Sequence, residues 1–393
     1  MITIKKPTLC MCLFVLFNIT YLIYRAGIFP QIIYYGTLIL FCLYSVIYIL
    51  RNRSSVPVRE LNFIYGIRNL GIIILSFWLI STITQLINNN FQLYLYTSLV
   101  DLIFPILVAF CILNIDCDNV HSYFSIFFIR TFLQFLIEEG SDLSWNAILS
   151  VDWFNSSSIV ESSNAHAFCL FVIYFLYRKK YFWAILSTFF CFIALKRIAL
   201  VYCLLSWVIF RFIPNRRMGK ISYYSIGIIF CLSPLLLNWI YSGEGNVFFN
   251  NTFGIDFYDF SQSRNVLVLD TLNHFNSNYN GFGTIPNYFE SRGEYWAGVN
   301  SFHCDMLRLY LECTMLGVII YIFSMMGITK RNWKSFYVLL YLFIELIVSH
   351  FLGCFVEWTF FYLFSYLIND CNDKKVSKKG NHEYLYKHSY SCI

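Results

Sequence analysis

The chain has 393 residues, of which 58% are hydrophobic and only 13% charged, and a formal net charge of +6. A soluble fold carries about 25% charged residues, so these proportions exclude a water-soluble enzyme and make lipid the solvent for most of the surface. The basic residues sit in short clusters between apolar runs, not on one amphipathic face, which excludes a nucleic-acid-binding patch and marks them as topology signals.

A membrane-spanning helix needs about 20 apolar residues, and open sheet edges have no place in lipid. The apolar runs predict spans near 8–24, 28–50, 61–87, 91–113, 121–137, 165–177, 181–196, 198–213, 221–241, 304–328, 335–352 and 354–369. The first run follows Lys5 and Lys6 as a signal peptide would, yet no small-x-small site closes it and a second run comes at once, so a retained helix is expected. Aromatic residues make up 21% of the chain and recur in nearly every run, as surfaces facing acyl chains and headgroups require.

Orientation follows from the basic clusters. Lys5/Lys6, Arg51/Arg53/Arg59, Arg178/Lys179/Lys180, Arg216/Arg217/Lys220, Lys330/Arg331/Lys334 and Lys374/Lys375/Lys378/Lys379 lie on alternate connections, which places them inside. The intervening stretches 88–90, 138–164 and 241–303 are nearly free of Lys and belong outside; the acidic inner connection 114–120 breaks the pattern. The expected fold is therefore all-α: one polytopic transmembrane helical bundle over 1–393 with about 12 spans and both termini cytoplasmic. A large outer loop covers 242–303, a smaller one 138–164 with Trp145 and Trp153, and a tail 370–393. Cysteines such as Cys42, Cys111, Cys191 and Cys203 fall inside apolar runs without framework spacing and are read as small packing residues.

Ionisable groups in or beside spans are costly and are the first candidates for function. Lys196-Arg197, at the outer end of a helical hairpin, runs against the topology rule; the pair is either snorkelling charge or an anion site. The large loop then supplies Ser-Gln-Ser-Arg264, Asn-Gly281-Phe-Gly283-Thr, and Asn300-Ser-Phe-His303-Cys-Asp305-Met-Leu-Arg308-Leu-Tyr-Leu-Glu312 leading into the span with Gly317. Gly281 and Gly283 suit a tight turn and close backbone approach. His303 suits a general base near neutral pH, or equally a polar residue at a helix entrance capped by Asn300 or Ser301. Asp305, Arg308 and Glu312 lie on one helical stripe and fit a structural ion-pair ladder as well as a site. Asp116-Cys-Asp118 has the form of a metal-binding Asp-x-Asp but falls on the inner side with no soluble domain around it. Asp101, Arg130, Glu345, His350 and Glu357, within spans, fit a transporter's polar relay or structural pairing.

From the Lys-Arg hairpin through the span after His303, this order of elements resembles the O-antigen polymerase and O-antigen ligase superfamily of bacterial cell-envelope assembly. That family has an Arg in a mid-chain span, an Arg opening an amphipathic loop helix, a Gly-x-Gly, and a His-x-Asp-x-Leu segment before a Gly-containing helix. Two departures stand out: Lys196 where a Ser usually precedes the Arg, and Cys313-Thr314 where a Gly usually lies.

The resemblance implies an inverting glycosyltransferase of the bacterial inner membrane. It would move oligosaccharide repeat units from undecaprenyl diphosphate to a glycan hydroxyl at the periplasmic face, without metal or other cofactor. His303, Arg264 and Arg197 would be catalytic, with Lys196, Gly281, Gly283, Asp305 and Arg308 binding substrate. Guanidinium forks answer a departing diphosphate bidentately. The implied partners are the lipid-linked oligosaccharide, the bilayer and, as a candidate, a polysaccharide chain-length regulator. Polymerisation into O-antigen or capsular polysaccharide is the expected reaction. Ligation of polymer to lipid A core is the alternative within the family, and a lipid-linked oligosaccharide flippase the alternative outside it, although no internal repeat of the transporter kind is visible.

Overall fold

The protein's structure, a computed structural model, describes residues 6–51, 61–88, 95–146, 160–241, 243–254, 264–275, 279, 281–292 and 302–369. Its regular elements among these residues are helices: α1 (Lys6–Arg25), α2 (Gln31–Arg51), α3 (Leu61–Ile87), α4 (Leu95–Ile115), α5 (Val120–Glu139), α6 (Asn164–Tyr177), α7 (Tyr181–Ile193), α8 (Arg197–Phe212), α9 (Lys220–Tyr241), α10 (Gly243–Phe253), α11 (Arg264–Phe275), α12 (Thr284–Ser291), α13 (Asp305–Ile328), α14 (Trp333–Val348) and α15 (355–369). A helix thus stands at each predicted apolar run. Seven of them are long and apolar enough to cross a membrane: those over Pro7–Arg25, Gln31–Tyr48, Arg68–Ile87, Ser98–Ile115, Cys117–Glu139, Lys220–Tyr241 and Asp305–Ile328. The chain is a multi-pass helical membrane protein.

The outward faces support the same conclusion. Ile32, Phe182, Phe212, Ile221 and Ile229 stand exposed on helix surfaces, an arrangement water would penalise and acyl chains accept. Aromatic edge-to-face contacts fill the interior, as between Phe14 and Phe127 (5.0 Å) or Phe128 and Phe171 (5.3 Å). Among the shorter helices, α6 has 14 residues and all but the last are buried. It packs on α5, α7 and α8, and a helix apolar on every side is one surrounded by protein. At about 1.5 Å per residue it is shorter than a bilayer's hydrocarbon core of roughly 30 Å.

Contacts between connections fall into two sets. At one end His121 meets Arg178, and Met218 N–H donates to the Arg331 carbonyl (2.8 Å). At the other, Arg25 pairs with Glu138, Ser162 N–H donates to the Ala194 carbonyl (3.0 Å), and Asp305 N–H donates to the Ser349 carbonyl (3.4 Å). These pairings are the ones an antiparallel succession of helices would produce. The calls on the tail 370–393, on Trp153 and on the basic residues between 52 and 60 lie outside the described residues.

The segment after α9 carries α10, α11 and α12. Leu267 and Val268 of α11, Ile285 and Phe289 of α12, and Phe302, Cys304, Leu307 and Leu311 at and after the junction with α13 form a second apolar cluster separate from the main core. The first turns of α13 thus serve as the floor on which this segment sits. Helix α13 is broken at Thr314, whose φ of 64° and ψ of 173° are foreign to a helix. The Thr314 hydroxyl accepts the Leu316 N–H at 3.2 Å, so the side chain restores a partner to an N–H near the break, as an N-cap does.

Candidate functional site

Asp305, Arg308 and Glu312 occupy successive turns of α13's first half, and all three are buried. Arg308 joins the two acids: its Nη1 is 3.4 Å from Asp305 Oδ1 and its Nε donates to Glu312 Oε2 at 3.0 Å. Each acid also holds a separate piece of chain. Glu312 Oε1 accepts the Ile285 N–H of α12 at 2.9 Å. Asp305 Oδ2 accepts the N–H groups of Phe351 and Leu352, both at 2.5 Å, from the connection between α14 and α15. A buried ion triad persists only when its remaining lone pairs are satisfied in this way. Asp305 Oδ1 meets one further group, His350 Nδ1, at 3.2 Å.

The Gly-x-Gly turn docks beside this ladder. Gly281 has φ +94°, and a Cβ there would lie 3.2 Å from Ser81 Cα of α3; Phe282 N–H donates to Ser81 Oγ at 2.8 Å. Gly283, at φ +96°, is the N-cap residue of α12. The glycines permit backbone-to-backbone approach between loop and bundle, with α3 as the neighbour. The Arg308 guanidinium lies over the Phe282 ring, 5.2 Å from its centroid.

His303 sits half-buried two residues before Asp305, between the buried Phe302 and Cys304. Arg264 opens α11, as the sequence predicts; its side chain lies outside the described residues, as do Asn300 and Ser301. Helix α11 is clamped to α12 through Asp270, which accepts from Tyr288 Oη (2.7 Å) and Arg292 Nη1 (2.8 Å). Burial and the adjacent carboxylate push the Tyr288 phenol above its ordinary range, which keeps it a donor.

Lys196 and Arg197 lie at the α7–α8 turn. Lys196 pairs with Glu161, while Arg197, the first residue of α8, is exposed. From this tip a line of contacts leads back to the ladder. Ser162 bonds Ala194; α6 begins at Asn164; His166 packs edge-on against Phe351 (5.2 Å); and Phe351 gives its N–H to Asp305. The hairpin tip, the entrance of α13 and the α14–α15 connection thus share one end of the bundle.

Against models of protein families, characterised proteins and solved structures, the chain finds no match.

Of the residues read as a relay, His350 belongs to the ladder. Glu345 is buried 3.3 Å from His166 Nδ1 and accepts from Ser349 Oγ (3.2 Å). Arg130, also buried, donates to Asn18 Oδ1 (3.2 Å) and stacks 3.7 Å from the Tyr21 ring centroid. Asp116 accepts from Asn119 Nδ2 (2.7 Å) and Tyr123 Oη (3.1 Å) within its own turn. Participants not singled out from sequence include Ser81, Glu161, His166, Asp270, Tyr288 and Arg292. His166 alone carried a signal, as a lone imidazole in the first turn of an otherwise apolar run.

Chemically, this end offers exposed cationic charge at the hairpin tip, an imidazole against a buried carboxylate, and a backbone turn pinned in place.

Proposed function

We propose that the chain is a membrane glycosyltransferase that polymerises oligosaccharide repeat units carried on undecaprenyl diphosphate into O-antigen or capsular polysaccharide. In this reading it works at the periplasmic face of the bacterial inner membrane, with about 12 spans and both termini in the cytoplasm. The observation that carries the reading is the buried Asp305–Arg308–Glu312 ladder, which ties α12, the entrance of α13 and the 349–352 connection together. A loop fixed to a membrane bundle by its own buried charges can hold a lipid-borne diphosphate and a sugar hydroxyl in one geometry, which is most of what an inverting transfer requires.

In that transfer the acceptor hydroxyl oxygen bonds to the anomeric carbon as the bond from that carbon to the diphosphate oxygen breaks. The electron pair leaves on undecaprenyl diphosphate. Arg197 and Arg264 answer its growing charge, Lys196 adds to the field, and an imidazole takes the hydroxyl proton.

A lipopolysaccharide gel of a deletion strain, read beside its undecaprenyl-linked intermediates, tests the assignment. Core bearing a single repeat unit is the expected result. Bare core with polymer accumulated on the carrier points to ligase instead, and bare core with single repeats trapped at the cytoplasmic face points to a flippase.

A further inference from the structure

Two histidines lie close to Asp305, His303 in sequence and His350 in space. His303 lies on the strand of chain entering α13. His350 lies in the connection after α14, and its Nδ1 faces Asp305 Oδ1 at 3.2 Å. Asp305 is wholly buried. Its Oδ2 already accepts two backbone N–H groups, and its Oδ1 also faces Arg308, a group that only donates. Both carboxylate oxygens are therefore acceptors, and the hydrogen between Asp305 and His350 sits on Nδ1. In the neutral ring this leaves the lone pair on Nε2, on a side chain that is 38% exposed.

The loop that carries His350 is bonded on both sides. Helix α14 stops at Val348, and Ser349 N–H closes its last turn on the Glu345 carbonyl at 2.8 Å. Phe351 and Leu352 are buried, and the Phe351 carbonyl accepts Trp358 Nε1–H at 3.0 Å. Two buried neighbours and the backbone hydrogen bonds made by Ser349, Phe351 and Leu352 hold the imidazole at one place. A carboxylate that fixes the ring of a partly exposed histidine is the arrangement of a general base.

We propose that His350 is the general base of the transfer and that Asp305 is its positioning residue. This rests on the glycosyltransferase reading above and replaces His303 as the group that receives the proton. As the acceptor oxygen bonds to the anomeric carbon, the hydroxyl proton passes to His350 Nε2, the diphosphate departs with the electron pair, and the imidazolium later yields its proton to water. Asp305 stabilises the charge formed on the ring and does not itself take the proton.

The test uses the full-length chain in lipid nanodiscs with an undecaprenyl-diphosphate-linked repeat unit, following polymer formation for wild type, His350→Ala, His303→Ala, Asp305→Asn and the double variant. Removing a general base costs about 10²–10⁴-fold in turnover, so His350→Ala is expected to lose kcat on that scale with KM for the lipid-linked donor retained. Added imidazole should restore part of the rate to His350→Ala and none to His303→Ala. Because Asp305 acts through His350, the double variant should be no slower than His350→Ala alone. Wild-type turnover in His350→Ala, a loss that imidazole leaves unchanged, or a double variant slower by the product of the two single effects would overturn the base while leaving the transferase reading intact. Absence of polymer from the wild type itself would overturn the transferase reading and the base with it.

Discussion

The ladder on α13 and the basic tip of the α7–α8 hairpin look alike as sequence: charged residues at the margin of an apolar run. Folded, they are opposites. Asp305, Arg308 and Glu312 are buried and bonded to one another and to backbone N–H groups of other segments, whereas Lys196 and Glu161 form a pair with side chains about one-third exposed and Arg197 stands open to solvent. Burial decides what each can do. A charge fully enclosed by its partners is committed to holding chain segments together, and an exposed one keeps its capacity for a ligand.

That contrast is broken most severely at Arg308. Its loss strands two buried carboxylates, and removing one partner of a buried ion pair costs about 3–5 kcal/mol. Arg308→Ala is expected to yield little folded protein, seen as loss of a monodisperse peak in detergent and a large drop in thermal midpoint. Arg308→Lys should rescue only part of this, since one ammonium cannot reach both acids with fork geometry. A stable Arg308→Ala variant would show that the ladder does not hold the segment.

The next effect falls on the Gly281 turn. Alanine there meets a positive φ and the Ser81 backbone together, and such strain costs about 1–3 kcal/mol. Gly281→Ala should raise the rate of proteolytic cleavage in the segment after Tyr241 and lower polymer formation, with smaller change in the thermal midpoint of the bundle. Equal protease resistance in variant and wild type would remove the turn from the docking interface.

How much of this was legible in the sequence depends on the range of the interaction. The helices were, because lipid demands long apolar runs and those runs are local. Their ends were less so. The run predicted as 335–352 begins at Trp333, because the Asn332 side chain accepts the N–H groups of Lys334 and Ser335 (3.1 and 3.5 Å). It stops at Val348, while the N–H groups of Phe351 and Leu352 go to Asp305, more than forty residues upstream. A stripe of Asp305, Arg308 and Glu312 was readable from helical spacing, but nothing local announces that Ile285, His350 and Phe351 complete it. His166 was passed over for the same reason: its partners Tyr341 (2.8 Å) and Glu345 belong to α14.

Thr314 gives a smaller and sharper test. Its positive φ favours glycine, while its hydroxyl caps the second half of α13. Thr314→Ala keeps the strain and loses the cap, a change of about 0.5–2 kcal/mol. Thr314→Gly loses the cap but relieves the strain. The alanine variant should therefore melt lower than the glycine variant, and the reverse order would mean that the positive φ stores no strain at the break.

The smallest effect on stability is expected at the hairpin tip, where it tells most about function. An exposed pair such as Lys196–Glu161 contributes about 0–1 kcal/mol, so Glu161→Ala and Arg197→Ala should both leave the thermal midpoint within a degree or two of wild type. Their effects on polymer formation should diverge. Arg197→Ala removes a guanidinium available to the diphosphate and should lower turnover sharply, with Arg197→Lys recovering little, because a point charge does not replace a bidentate fork. Glu161→Ala frees Lys196 from its carboxylate and should leave turnover unchanged or raise donor affinity. If both variants keep wild-type stability and wild-type turnover, the exposed charge at this tip is snorkelling charge only, and the anion site must be sought among the charges of the large outer segment instead.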